Sequence, residues 1–466
     1  MNSKDGNNAS RRAFLKRASA LSVAGVAAPW ALNLAAMAEA AAAGATDYKA
    51  MVCIFLYGGN DYANTVVPYD ATSHTVYTQQ RPTFAYTQAQ LGATLLTPTV
   101  APVDSKGVTH QYALAPGLAP LASLFGTGKL GVILNIGTLV QPTTKAQYTA
   151  KSAPLPPKLF SHNDQQSVWQ SSSPEGATSG WGGRIGDLFE AGNGNATFTC
   201  VNVSGNAVFL SGKTAVQYQV STSGPVAMNG IKSPLFGSAT CTEALRTLIT
   251  QPRTHVLESE YNRVVKRSLD ANTILTTSLA AVPALTTTFP TPNSLADQLK
   301  LVAKMIAAAP ALGAKRQVFF VSMGGFDTHD AMVTAHPGLM TNLGAAMSAF
   351  YAATVELGVA DQVTSFTASD FGRTLTGNSD GSDHGWGSMH FVMGGAVNGQ
   401  RFYGTAPVVA NNGVDDVGQG RLLPTTSVDQ FAATMGKWMG VSDSQLLSML
   451  PTLSNYNVSA RNLGFV

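Results

Sequence analysis

A short, largely apolar run recurs five times along the chain, and each run gives way to glycine or to polar residues. The runs are Met51 to Leu56 before Tyr57-Gly58-Gly59-Asn60-Asp61, Gly131 to Ile136, Val318 to Val321 before Met323-Gly324-Gly325, Val363 to Phe366 before Thr367-Ala368-Ser369-Asp370, and Phe391 to Met393 before Gly394-Gly395. A strand that is apolar on both faces is what a parallel sheet covered by helices requires. Helical patterns lie between the runs, as at Ser294 to Ala308, where Leu295, Leu299, Val302 and Ile306 share a face, and at Gly344 to Leu357. The alternation predicts an α/β fold, with a mostly parallel sheet and helices on both faces. Residues 195–235 read differently, as short alternating runs (Phe198 to Val203, Ala207 to Leu210, Ala215 to Val220) broken by Gly, Asn and Ser, and they predict antiparallel hairpins. With the helical stretch 242–308, they form an expected inserted region over 195–310. A last helix is expected from Ser427 to Met439.

Charge narrows the class of function. Only 12% of the residues are charged, about half the usual ~25%. Polybasic nucleic-acid binders, acidic disordered chains and long coiled coils are excluded on that ground. Much of the net +3 sits at the start of the chain, where residues 1–38 carry Lys4, Arg11, Arg12, Lys16 and Arg17 against Asp5. Subtracting that +4 leaves −1 for the remainder. Ser10-Arg11-Arg12-Ala13-Phe14-Leu15-Lys16, the soft apolar run Ala18 to Ala36 and the tract Ala36-Met37-Ala38 read as a charged region, an apolar region and a small-residue cleavage site. They resemble a twin-arginine export signal. The competing reading is a membrane anchor, but the run is Ala-rich and broken by Gly25 and Pro29. No later stretch is long enough to span a bilayer, so no stable membrane span is expected after cleavage. The expected location is periplasmic or extracellular, with the twin-arginine translocase as a partner. The mature chain is expected to be one domain over 47–466.

Cys53, Cys200 and Cys241 form no C-x-x-C and no Cys/His cluster. Cys53 reads as a core residue. Cys200 and Cys241 are open to pairing in an oxidising compartment, although a chain exported folded matures in a reducing one.

Acids are scarce, so their positions carry information. Asp61 follows the first run, Asp327 and His329 the third, and Asp370 the fourth, while Asp383-His384-Gly385 precedes the fifth. Ligands of open parallel sheets bind beyond the carboxyl ends of strands, and carboxylates with imidazoles suit Zn²⁺, Mn²⁺ or Mg²⁺. Each position has a plainer alternative. Asp61 and Asp370 read equally as helix N-caps, Asp-Thr-His as a turn, and Asp383-His384-Gly385 as a type I turn. The conjunction of acids and imidazoles in glycine-rich strand ends favours a single crevice. Ser161 and His162, behind Pro154, Pro156 and Pro157 and ahead of a helical pattern, place a hydroxyl at a helix N-terminus, as either a cap or a nucleophile. Arg373 is read as an oxyanion clamp, or else as a partner of a nearby acid. No Walker loop, no H-E-x-x-H and no G-x-G-x-x-G after the first run is present.

The stretches 52–70, 112–121, 160–170 (FSHNDQQSVWQ), 180–188, 316–330 (RQVFFVSMGGFDTHD), 366–375 (FTASDFGRTL), 383–397 (DHGWGSMHFVMGGAV) and 423–441 together resemble the DUF1501 family of exported bacterial proteins. The resemblance spans nearly the whole mature chain and is weakest over 195–310. It implies an alkaline-phosphatase/sulfatase-like fold, two bound metals and a Ser, Thr or modified Cys nucleophile. Carried onto this sequence, it makes Asp61, Asp327, His329, Asp370 and His384 the metal ligands and Ser161 the nucleophile, with His162 and Arg373 as further catalytic candidates. The cofactor implied is a divalent metal: Zn, Mn, Mg or Ca. Two departures stand out. Phe371 follows Asp370 where the superfamily has histidine, and a single residue separates Asp327 from His329 where it has three. The expectation is therefore an exported metal-dependent hydrolase of small phosphate or sulfate esters, with no nucleic-acid partner. The alternative is a non-catalytic exported binding or structural protein that keeps the fold.

Overall fold

The structure, a computed structural model, describes residues 47–466. The expected export signal at 1–38 lies outside the described residues. Thirteen strands are present among these residues: β1 (Lys49–Leu56), β2 (Val66–Pro68), β3 (Tyr112–Leu114), β4 (Leu130–Gly137), β5 (Cys200–Asn202), β6 (Tyr218–Gln219), β7 (Arg316–Met323), β8 (Val363–Ser369), β9 (Arg373–Gly377), β10 (Ser382–His384), β11 (Ser388–Gly394), β12 (Arg401–Tyr403) and β13 (Thr426–Ser427). Nine of them form the main sheet, in the order β12-β4-β11-β8-β1-β7-β5-β6, with β13 also on β4. Strand β1 runs at its centre, parallel to both β7 and β8.

Residues Ala50 to Leu56 are all buried, and alternate side chains go to opposite faces. Val52, Ile54 and Leu56 pack with α4 (Ser294–Ala307) and α5 (Met332–Glu356). Met51, Cys53 and Phe55 pack with Trp169 of α1 (His162–Ser171), Trp181 of α2 (Trp181–Phe189) and Phe431 of α6 (Val428–Met439). The two-sided burial is the reason the run is continuously apolar, and each such side chain contributes roughly 1.5–3 kcal/mol. Local signals fix the helix ends. Asn293 caps α4 by accepting from the Ala296 amide. Ser427 and Gln430 form a capping box on α6, which stops at Gly440 with φ 105°.

Two expectations need correction, and one open question is answered. The fifth run, β11, is antiparallel to both β8 and β4. The chain between β8 and β11 is spent on the β9–β10 hairpin, so it re-enters the sheet from the end it has just left. Region 195–235 does not form antiparallel hairpins. Its strands β5 and β6 join the main sheet in parallel, and Val208–Leu210 is a 3₁₀ turn. The fifteen residues between β5 and β6 (203–217) are long enough for a crossover, which parallel pairing requires. Finally, Cys200 is buried in the core and Cys241 is exposed, and both are free.

The register sets up the site. Leu56 is level with Met323 on one side and with Ser369 on the other. The chain therefore leaves three adjacent parallel strands at one height, with Gly58, Asp327 and Asp370 just beyond. No helix among the described residues is long and apolar enough to cross a membrane.

Candidate metal centre

Beyond this edge, three segments bring three imidazoles and a carboxylate together. Asp327 and His329 come from the loop after β7. His162 opens α1, and His384 closes β10, where it pairs with Arg373 at the start of β9. Ligand atoms of His162, Asp327 and His384 all lie within 4.8 Å of one another. His329 joins through Nε2, which is 3.1 Å from Asp327 Oδ1 and 2.9 Å from His384 Nε2.

Each ring is oriented by an acceptor on its other nitrogen. His162 Nδ1 lies 2.6 Å from Asp370 Oδ2, His329 Nδ1 3.2 Å from Asp383 Oδ1, and His384 Nδ1 2.7 Å from the Phe160 carbonyl. A carbonyl or carboxylate oxygen only accepts, so each Nδ1 carries the proton and each neutral ring directs an Nε2 lone pair inward. Two lone pairs facing each other at 2.9 Å repel unless a cation or proton lies between them. His162 Nε2 is buried, has no hydrogen-bond partner, and stands 3.4 Å from Asp327 Oδ2. The orphaned His162 Nε2 and the two facing Nε2 atoms beside a carboxylate, each ring held from behind, form a donor set that fits a divalent metal.

The remaining side chains tune this centre. Burial would raise the Asp327 pKa, but the hydrogen bond and charge of Arg373 outweigh it and hold the carboxyl below its usual value. The hydrogen bond to Asp370, opposed by burial, raises the His162 pKa. Burial lowers that of His384. The Phe371 ring lies 4.9 Å from His162 and 4.7 Å from His384, tilted by 37° and 36°, giving the rings an apolar wall. Gly58 has φ 116°, and a Cβ there would meet the Asp327 backbone nitrogen at 2.3 Å, so the loops close only around glycine.

Several residues expected at the site take other places. Asp61 is fully buried and stands apart from the imidazoles. Its Oδ1 accepts from Arg81 Nη1 at 2.7 Å and from the Asn64 amide at 3.0 Å, and its Oδ2 accepts from Ser382 Oγ at 2.7 Å. The N-cap alternative holds for Asp61, which caps the short helix Tyr62–Thr65. Asp370 starts no helix. Its Oδ1 accepts from the Gly58 amide, and its Oδ2 takes Gln166 Nε2 as well as His162. Arg373 is buried and donates to Asp327 Oδ1 at 2.6 Å, to the Gly58 carbonyl and to the Ser382 carbonyl. Its donors are thus committed within the protein, against the expected oxyanion clamp. Ser161 occupies the N-cap position of α1 without a capping bond, and its Oγ donates to Asp164 Oδ2 at 2.8 Å.

Gln166 and Arg81 were not selected from sequence as site residues, and Asp383 was noted beside His384 without a role of its own. Gln166 had a usable signal, because it lies four residues after His162 and so on the same helix face. Arg81 had none, since nothing in the sequence ties it to Asp61, 20 residues before it.

A family model described as "Protein of unknown function (DUF1501)" matches residues 48–452. No curated protein matches the chain. Among solved structures, one from a study of glycosaminoglycan metabolism by Bacteroides thetaiotaomicron is 10% identical, with TM-score 0.35, and covers 86% of this chain and 74% of its own. The PsFucS1 sulfatase from Pseudoalteromonas sp. is 10% identical, with TM-score 0.35, covering 93% and 75%. The C-terminal periplasmic domain of EcEptC from Escherichia coli, in complex with Zn, is 10% identical, with TM-score 0.29, covering 76% and 75%. Likenesses this distant carry no conclusion about chemistry.

Proposed function

Because the chain belongs to the DUF1501 family, we propose that the imidazole–carboxylate centre serves an exported, metal-dependent hydrolase of small phosphate or sulfate esters. The observation that carries this reading is the meeting of three Nε2 atoms with Asp327 at the carboxyl edge of a parallel sheet. Its location outside the cytoplasm rests on the twin-arginine tract at Arg11-Arg12, and its alkaline-phosphatase/sulfatase-like character rests on the resemblance of the motifs.

His162, Asp327, His329 and His384 would hold the metal, which supplies Lewis-acid polarisation of the ester when bound. Asp370, Asp383 and the Phe160 carbonyl keep the imidazoles in the ligating tautomer. Arg373 positions Asp327 and offsets part of its charge. Ser161, one residue before His162, is the candidate nucleophile. Asp164 Oδ2 accepts the Ser161 hydroxyl proton as Oγ bonds to phosphorus or sulfur and the bond to the leaving alkoxide breaks. The leaving alkoxide takes a proton from solvent. Water then attacks the phosphorus or sulfur of the ester on Ser161, Asp164 returns its proton to Oγ as that bond breaks, and the water's proton leaves on the released phosphate or sulfate.

The test is hydrolysis of p-nitrophenyl phosphate and p-nitrophenyl sulfate by the purified chain, before and after chelation, alongside Asp327→Asn. Turnover that chelator removes and metal restores, and that Asp327→Asn abolishes, is the expected result. A second reading, a non-catalytic exported protein that keeps the fold, draws on Phe371, which sits against both His162 and His384, and on Arg373, which already pairs with Asp327. Metal-loaded protein without turnover on either ester favours that reading.

A further inference from the structure

We infer that this centre is built for one ion per chain, and for a borderline transition-metal dication of the Zn²⁺ or Co²⁺ type in place of Mg²⁺ or Ca²⁺. The inference rests on the metal-binding part of the reading above and is independent of whether an ester is cleaved.

The carboxylates decide the class of ion. Five aspartates lie at or near the strand ends, yet four are turned to other work. Asp61 is held by Arg81, the Asn64 amide and Ser382. Asp370 is held by the Gly58 amide, His162 and Gln166. Asp383 is held by His329 and Asn378. Asp330 lies beyond the Asp327–His329 pair and is exposed. Among the described residues only Asp327 meets the imidazole Nε2 atoms, so the inward donors are three nitrogens and one carboxylate. Ca²⁺ takes six to eight oxygens and Mg²⁺ an octahedron dominated by oxygen. Imidazole-rich sets suit Zn²⁺ and its neighbours.

Spacing agrees with that choice. Four of the six donor pairs stand at 2.9 Å (His329–His384), 3.1 Å (His329–Asp327), 3.2 Å (His384–Asp327) and 3.4 Å (His162–Asp327), and His162 and His384 have ligand atoms within 4.8 Å of each other. Bonds of about 2.0–2.1 Å in a tetrahedron give edges of roughly 3.3–3.4 Å. Oxygen ligands at about 2.3–2.6 Å around a larger ion would need wider spacing.

Charge limits the count. Asp61 and Arg81 cancel each other, with neither side chain exposed. Around the imidazoles, Asp327, Asp370 and Asp383 carry three negative charges, and Arg373 and Arg421 two positive. The balance is −1, which a single dication already exceeds. A second ion would need Asp61 as a ligand, and the Arg81 guanidinium already occupies that carboxylate.

The test uses the purified full chain, stripped with chelator and titrated separately with Zn²⁺, Co²⁺, Ca²⁺ and Mg²⁺ by calorimetry, with visible absorption followed for Co²⁺. The expected result is saturation at one Zn²⁺ or Co²⁺ per chain, strong low-symmetry Co²⁺ bands, and no displacement by a large excess of Ca²⁺ or Mg²⁺. His384→Ala should weaken Zn²⁺ binding by more than the roughly 10–100-fold of an outer-shell change. If that variant does not fold, His329→Ala, at a ring that is 43% exposed, carries the same expectation. Two ions per chain, or Ca²⁺ or Mg²⁺ competing at equal concentration, overturns the inference and leaves the hydrolase reading standing. Absence of any binding overturns both. One tight Zn²⁺ without ester turnover upholds the inference and overturns the hydrolase reading.

Discussion

Arg81 Nη1 lies 2.7 Å from Asp61 Oδ1, and solvent reaches neither side chain. The guanidinium also donates to Asn64 Oδ1 and to the carbonyls of Thr374 and Leu375, so it ties the end of β1 to β9. Through Ser382, which donates to Asp61 and accepts from Arg373, this pair braces the hairpin that carries His384.

Breaking one half of the pair strands a buried charge. Arg81→Met is expected to cost about 3–5 kcal/mol, read by urea unfolding. Arg81→Met combined with Asp61→Asn should recover a substantial part of that loss, because no unpaired charge remains. Burial raises the Asp61 pKa, but the charge and hydrogen bond of Arg81 outweigh it and hold the carboxyl below 3.8. This contribution is therefore fully present above the unfolded value of 3.8 and fades as pH falls through the lower folded value. Equal stability of wild type and Arg81→Met at neutral pH would contradict the assignment.

Two buried histidines predict acid sensitivity at higher pH. Burial pushes His336 down to about 4 and His390 down to about 3, from 6.5. Neither ring nitrogen of His336 has a partner among the described residues. As pH falls below 6.5, the unfolded chain takes up protons that the folded chain refuses. Stability is lost on that descent with a slope approaching about 1.4 kcal/mol per pH unit for each histidine. His336→Met removes one site and should flatten the dependence between pH 6 and 4, measured by denaturant titration at each pH. An unchanged slope would count against the assignment.

Gly58 is required twice, by its φ of 116° and by the Asp327 backbone at 2.3 Å from a Cβ. Gly58→Ala should displace Asp327 or the turn before it, lowering Tm and weakening metal binding together. Retention of both would mean that the two loops close less tightly than described.

Asp370→Asn keeps the size of the side chain but weakens its hold on His162 Nδ1. A loss of roughly 10–100-fold in Zn²⁺ affinity is expected, as for other acceptors behind ligating imidazoles. Competition with a chromophoric chelator measures it. Far-UV circular dichroism separates the effect from unfolding.

Ser161 makes no capping bond to α1, and its Oγ donates to the buried Asp164 at 2.8 Å. Ser161→Ala should cost about 1.5–3 kcal/mol, the worth of one hydrogen bond to a carboxylate, and leave the chain folded. The same change should abolish ester turnover. Turnover retained at the wild-type rate would transfer the nucleophile's role to water.

Much of the α/β frame was legible because two-sided burial leaves a trace in the sequence itself. The runs at Met51, Gly131, Val318 and Val363 all became main-sheet strands, and Asn293 and Ser427 cap helices near the expected starts. Strand direction was not legible. An apolar run such as Phe391 to Met393 reads the same in either direction, and the β9–β10 hairpin, not the run, turned β11 antiparallel.

The sequence by itself determined which polar residues stand at strand ends, because apolar runs stop where the chain leaves the core. Only the tertiary structure decided what each of them faces. Asp61, Asp327 and Asp370 look alike along the chain, each a carboxylate just past an apolar run. Folding gave Asp61 to Arg81, Asp370 to His162 Nδ1, and left Asp327 among three imidazoles. The physical reason is that a buried carboxylate takes its role from the nearest cation or N–H donor. Here those partners lie 20 residues away for Asp61 and 208 for Asp370, with the three strand ends brought level by the register of β7, β1 and β8.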